Sequence, residues 1–315
     1  MARSVRPARS SLPRRALLLG VAGVAGCTTI PDDVGSATDP VPSASETAPP
    51  VTTPKTAATP SAAPTTPPQS ATALPGREEI VGRYAGRTPR EWGIDVTGVI
   101  STLAEAGVAP VSDRTQVALT FDACGGGGSG DGYDAALIDV LRELSVPATL
   151  YLNSRWIRRH EDLAAELAND PLFAVACHGT AHVPLSVTGR AAYGIRGTDS
   201  VAAAYDELTG NVGWFVAERG QPQRSFRPGT AHCDEVGAAI ARDLRMPVVG
   251  FSVNGDGGAT FSAGMVEEAL LQVTDGDIVL AHMNRPGGGT ARGTAAALPP
   301  LLDRGVRFVT VEPVV

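Results

Sequence analysis

From about residue 113 onward, short apolar, β-branched runs alternate with segments whose apolar positions recur every three or four residues. Runs at 116–121, 148–152, 173–177, 212–216, 248–253, 278–281 and 307–311 read as strands. Segments 135–144, 160–168, 200–209, 234–244, 263–272 and 294–304 read as helices. Pro147, Pro247 and Gly305 stand just before strands, where helix stops belong. Strands alternating with helices of this length predict βαβ units and a parallel sheet. The expected fold class is therefore α/β, an irregular (β/α) barrel, with chemistry gathered where the strands end. Residues 76–112 hold Arg90-Glu91-Trp92-Gly93 and a helical pattern at 99–107. They are expected to pack on the outside of the barrel or to close its bottom.

The beginning of the chain follows a different pattern. Arg3, Arg6, Arg9, Arg14 and Arg15 precede an apolar run at 16–26 that is shorter than the roughly 20 residues a membrane-spanning helix needs. Residues 1–27 read as a signal peptide. Val24-Ala25-Gly26-Cys27 is similar to a bacterial lipobox, which makes Cys27 the expected lipidation site and places the protein on the extracytoplasmic face of the cell membrane. Arg14-Arg15 also suggests export by the twin-arginine route. Residues 28–75 are rich in Pro, Thr, Ala and Ser and poor in large apolar side chains, the composition of a disordered tether. That leaves 76–112 as an extension and 113–315 as the main domain.

Charge narrows the choice of partner. The formal net charge is −7 even with the five signal-segment arginines included, and no basic stretch is interleaved with aromatics. Nucleic acid is therefore not an expected partner. Beyond Cys27 the cysteines are Cys124, Cys177 and Cys233. They can be small buried packing residues, or an exported chain can pair two of them, with Cys124–Cys177 the preferred bridge.

Four constellations carry chemistry. Thr120-Phe121-Asp122-Ala123-Cys124 ends the first strand with a carboxylate and empties into glycines. His178-Gly179-Thr180-Ala181-His182 follows a strand and holds two of the five histidines of the chain, at a spacing suited to two ligands on one divalent metal. Arg227-Pro228-Gly229 fixes a planar cation able to orient a carboxylate, beside backbone N–H groups able to meet an oxyanion. Asp277-Ile278-Val279-Leu280-Ala281-His282 is a strand ending in a histidine, a side chain able to protonate a leaving amine.

Read in order, residues 115–311 resemble the polysaccharide deacetylases, the NodB-like enzymes of carbohydrate esterase family 4. Thr120-Phe121-Asp122 is similar to the start of their Thr-Phe-Asp-Asp-Gly motif, and His178 with His182 to their paired histidines. Phe226-Arg227-Pro228 resembles their Arg-Pro-Pro-Tyr segment, Phe251-Ser252-Val253-Asn254-Gly255-Asp256 a reduced form of a Trp-Ser-Val-Asp segment, and residues 277–282 their Asp-Ile-Val-Leu-x-His. The resemblance implies a hydrolase that removes acetyl groups from cell-wall or surface polysaccharide, most simply from an N-acetylated amino sugar. It implies Asp122 as general base, His282 as general acid, Arg227 as the partner of Asp122 and Asp256 as the partner of a catalytic histidine. A divalent metal, with zinc expected, would sit on His178 and His182; Gly229 and Thr230 would face the oxyanion and Leu280 the acetyl methyl.

Two departures matter. Gly229-Thr230 stand where the family has Pro-Tyr, which removes an aromatic wall from the groove. Ala123 stands where the family has a second aspartate that binds metal. Three readings stay open: Asp131 or Asp134 completes the site, Cys124 supplies a thiolate, or metal binding is lost and a lipid-anchored glycan-binding pseudoenzyme remains.

Overall fold

The computed structural model describes residues 74–111 and 113–313. The signal segment, Cys27 and the tether up to residue 73 lie outside the described residues.

In chain order the strands are β1 Gln116–Ala123, β2 Ala148–Leu152, β3 Phe173–Cys177, the hairpin pair β4 Ala191–Ala192 and β5 Ile195–Arg196, then β6 Val253–Asn254, β7 Asp277–His282 and β8 Arg307–Phe308. The helices are α1 Arg77–Tyr84, α2 Ala135–Glu143, α3 Ser154–Arg159, α4 Glu161–Asn169, α5 Val201–Thr209, α6 Val212–Arg219, α7 Glu235–Asp243, α8 Ala263–Leu271 and α9 Thr290–Asp303. None of them is long and apolar enough to cross a membrane. The main sheet runs β3-β2-β1-β7-β6, with β8 beside the first two residues of β1. All its pairings are parallel. Single-residue bridges carry the ring onward: Cys177 to Phe226, Phe226 to Val248, Val249 to Ile100, and Thr102 to Asp277 on β7. An irregular α/β barrel results, as the alternation of patterns predicts.

Side-chain alternation along the strands divides the core in two. Val117, Leu119, Phe121 and Ala123 of β1 point outward to Leu137, Ile138 and Leu141 of α2 and Leu298 and Leu301 of α9. Ala118 points inward, where Tyr151, Ala176, Val249 and Ile278 meet Leu103 and Ala106 from the N-terminal extension. Residues 100–106 close the barrel, while Ile80 and Tyr84 of α1 join the outer cluster that holds Ala204, Leu208 and Ala238.

Several elements differ from the pattern. Residues 212–216 are the start of α6, not a strand; only Phe215 is buried there, and Gly220 ends the helix in the left-handed conformation. Within 248–253 only Val253 enters a strand, because the carbonyls of Val249 and Gly250 turn to Arg227. The run at 307–311 pairs over two residues alone. Residues 99–107 form turns that hydrogen-bond to Val248 and Gly276 in place of a helix. Helices α1 and α3 escape the periodicity; Asn153 caps α3 by accepting from the Arg155 amide at 3.0 Å.

Candidate active site

Strand register builds the centre of the site. Asp122 is paired with His282 across the β1–β7 ladder, so the two stand side by side at the carboxyl ends of adjacent strands. Both follow the inward alternation of Ala118 and Ile278. Leu280, also on that alternation, lies buried one step below His282 and pairs with Thr120.

Arg227 is fully buried inside the barrel, which only a complete set of partners makes tolerable. Its Nη1 donates to Asp122 Oδ1 and to Thr120 Oγ1, both at 2.8 Å. Its Nε and Nη2 donate to the carbonyls of Val249 and Gly250 at 3.1 and 2.9 Å. The guanidinium lies over the Tyr151 ring at 4.1 Å. Burial pushes the Asp122 carboxyl pKa up, but the charges of His178, Arg227 and His282 outweigh it and keep the group ionised.

Two histidines and a cysteine face that carboxylate. His178 follows β3, and its Nδ1–H donates to the Arg227 carbonyl at 2.9 Å, which fixes the ring with Nε2 directed into the mouth. There Nε2 is 3.5 Å from Asp122 Oδ2 and 3.7 Å from Cys124 Sγ. The ligand atoms of Cys124, His178 and His182 all lie within 4.8 Å of one another. Tetrahedral zinc with bonds of about 2.0–2.3 Å keeps its donors roughly 3.3–3.8 Å apart. Cys124 Sγ and His178 Nε2, 3.7 Å apart, have that spacing, and with an outer limit of 4.8 Å the remaining pairs need draw in by no more than about 1 Å to share such an ion. Burial raises the Cys124 thiol pKa, but hydrogen bonds from His178, His182 and His282 prevail and bring it well below the ordinary value. The sulfur is thus prepared as a thiolate.

On the other side, the amide and Nδ1–H of His282 donate to the Asp256 carboxylate at 2.7 and 2.9 Å. Asp256 is wholly buried, and its oxygens also accept from Thr290 Oγ1 and the amides of Gly258 and Ala259. Burial disfavours the His282 imidazolium; Asp256 and Cys124 overcome that and hold its pKa well above the ordinary histidine value.

The remaining expected residues fall in several places. Asp131 is held in its own loop, its carboxylate accepting from the Gly127 amide and its carbonyl hydrogen-bonded to His160. Asp134 caps α2 through the Leu137 amide. Among the described residues neither stands in the group formed with the histidine pair, whose third member is Cys124. The Cys124–Cys177 bridge is also absent. Cys177 faces the outer cluster, where its sulfur accepts from the Gly179 amide, and all three described cysteines are free. Gly229 and Thr230 form a tight turn with Thr230 at φ 71°. The turn packs so closely on His182 that a side chain at Gly229 would collide with the His182 backbone.

Three supporting residues carry no motif and were not singled out in the sequence. Glu207 on α5 accepts from the amides of Ala181 and His182 at 2.8 and 3.0 Å. Asn153 donates to the carbonyls of His178 and Gly179 at 2.8 and 2.9 Å. Asn211 also donates to Gly179 O, at 3.2 Å. A carboxylate on the same helix face as Ala204 and Leu208 was the one available signal for Glu207.

Residues 110–249 match the model of the polysaccharide deacetylase family. No curated protein sequence matches the chain. Among solved structures, a family 4 carbohydrate esterase pseudoenzyme from Bacillus anthracis superposes with a TM-score of 0.52 at 20% identity, over 63% of this chain and 64% of that one. The match thus spans less than two thirds of that pseudoenzyme. A peptidoglycan N-acetylglucosamine deacetylase gives 0.54 at 20% identity, over 68% of this chain and 91% of its own. PdaA of Bacillus subtilis, a family 4 carbohydrate esterase, gives 0.53 at 18% identity, over 68% and 83%. What these structures share with the chain is the fold.

Proposed function

We propose, from the match of residues 110–249 to the polysaccharide deacetylase family, a metal-dependent hydrolase that removes acetyl groups from cell-wall or surface polysaccharide, with an N-acetylated amino sugar as the preferred unit. The observation that carries the reading is the register of Asp122 beside His282, each with a buried charged partner and both facing the Cys124, His178 and His182 group.

His178, His182 and Cys124 would hold a divalent metal, and zinc suits that donor set; bound there, it supplies Lewis acidity toward water and an acetyl carbonyl. Asp122, kept ionised and aimed by Arg227, takes the proton from the attacking water. His282, kept protonated by Asp256, gives a proton to the departing amine. We assign the Gly229 and Thr230 amides to the carbonyl oxygen as charge gathers on it. Leu280 offers the acetyl methyl an apolar seat.

The second reading, a glycan-binding pseudoenzyme, draws on Ala123 and on the likeness to a pseudoenzyme. Acetate release from an N-acetylglucosamine polymer separates the two. Zinc-loaded protein should release acetate, a chelator should stop it, and Asp122→Asn should lose at least about a hundredfold in rate. Equal release by wild type and Asp122→Asn, or none from either, removes the deacetylase reading. Anchorage on the extracytoplasmic face through Cys27 is also proposed, on the lipobox at 24–27. Cys27→Ala should then leave the membrane fraction, and a variant that stays there refutes the anchor.

A further inference from the structure

An aromatic cluster stands on the rim beside His182, and no step of the proposed reaction uses it. Tyr193 is 84% exposed, far more than any other large apolar side chain described. It sits in the turn between β4 and β5 with φ 51°, a left-handed backbone that a bulky residue adopts only at a cost. The fold gains no burial from holding the ring there.

Three distant segments meet at this point. The Tyr193 ring lies edge-on to His232, with centroids 5.3 Å apart at 85°. Trp92, from the N-terminal extension, approaches His232 at 6.0 Å, and the Arg190 guanidinium lies over the Trp92 ring at 5.1 Å. Gly93 and Cys233 exchange backbone hydrogen bonds at 3.1 and 2.9 Å, which fixes Trp92 next to His232. His232 Nδ1–H in turn donates to the Thr230 carbonyl at 2.7 Å, within the turn that packs on His182. The cluster is therefore continuous with the loop that carries a proposed metal ligand.

An exposed tyrosine ring beside an imidazole, with an indole that carries a guanidinium on one face next to it, suits one kind of molecule well. A pyranose ring has an apolar face of C–H groups that lies on the electron-rich face of an aromatic ring, with hydroxyls at its edge for polar groups to meet. We propose that Tyr193, Trp92 and His232 form a stacking subsite for a pyranose unit of the polysaccharide next to the one being deacetylated. The placing of that neighbouring unit rests on the deacetylase reading above. The subsite supplies, from the hairpin and the extension, the aromatic wall that Gly229-Thr230 lack.

The test uses the full chain and a hexamer of N-acetylglucosamine, with binding measured calorimetrically in an Asp122→Asn background and kinetics in the active protein. Tyr193→Ala should weaken hexamer binding about tenfold, which is what uncovering one ring face of order 60 Å² predicts. Tyr193→Phe should bind within about twofold of the parent, because the ring and not the hydroxyl is used. In the active protein the same alanine variant should raise KM for the hexamer by the binding factor and leave kcat within about twofold, the signature of a contact made equally in ground and transition states. Val216→Ala, on the exposed side of α6, should bind like the parent. The subsite is overturned if Tyr193→Ala binds as tightly as the parent, if Tyr193→Phe is as weak as alanine, or if the parent does not bind the hexamer. Tyr193-dependent binding without acetate release would uphold the subsite and remove the deacetylase reading. Acetate release with KM indifferent to Tyr193 would do the reverse.

Discussion

Strand alternation decides which residue after Asp122 can face the histidines. Ala123 points outward and is completely buried with Leu152 and Trp156, whereas Cys124 turns back toward the mouth. On the proposed reading the sulfur is the third ligand of the metal, beside His178 and His182. If so, Cys124→Ala should lower zinc affinity by well over tenfold while the fold persists, since the residue contributes little to the core. The readout is zinc per protein after gel filtration, with cobalt substitution as a second check. The cobalt form of wild type should show a near-ultraviolet thiolate charge-transfer band that Cys124→Ser lacks. A full complement of zinc in Cys124→Ala would show that the thiol is only a neighbour. Residues such as Asp122 and His282 were legible in the sequence because each is a reactive type at the end of an apolar run. Asp131 and Asp134 were harder to place for the opposite reason: a glycine-rich segment gives no period, and each turns one carboxylate oxygen to a local amide.

At the scale of elements, α5 holds the histidine loop in shape. Glu207 reaches across from it and gathers the amides of Ala181 and His182, while Asn153 and Asn211 fasten the carbonyl side at Gly179. Gly179 has φ 81°, and any side chain on it would strike the Glu207 carboxylate, so only glycine serves there. Burial raises the Glu207 pKa against the pull of those amides. Glu207→Ala should lower zinc affinity about 10–100-fold through the displaced His182, with Glu207→Gln in between. Competition with a chromophoric chelator measures this, and an alanine variant that holds zinc as tightly as the parent would show that the loop keeps its own shape. The sequence could not announce such a tie, because α5 and the 178–182 loop meet only after the chain has folded. The same distinction explains α6. A run of Val, Trp, Phe and Val suits a strand or a short helix equally, so the local pattern cannot decide between them.

For the whole molecule, the proposed metal would connect parts of the barrel that otherwise meet lightly. Cys124 leaves the end of β1, His178 the end of β3, and His182 the loop beyond. The wall past β3 continues only through single-residue bridges at Phe226, Val248 and Ile100. An ion held at that mouth binds the closed barrel and has no comparable site in the unfolded chain. Linkage then gives about 2.7 kcal/mol of added stability at a free zinc concentration a hundred times the dissociation constant. For a body the size of residues 74–313, each kcal/mol is worth about 2–4 °C in the unfolding midpoint. Zinc should therefore raise Tm by roughly 5–10 °C. A chelator should reverse the shift. Cys124→Ala and His178→Ala should each lose most of it, and Tyr193→Ala, which touches the rim and not the ion, should keep it. Scanning calorimetry with and without zinc makes the comparison. A shift of equal size in Cys124→Ala and His178→Ala would mean that zinc acts elsewhere on the surface, and the mouth of the barrel would then have to do its chemistry on Asp122, His282 and their partners alone.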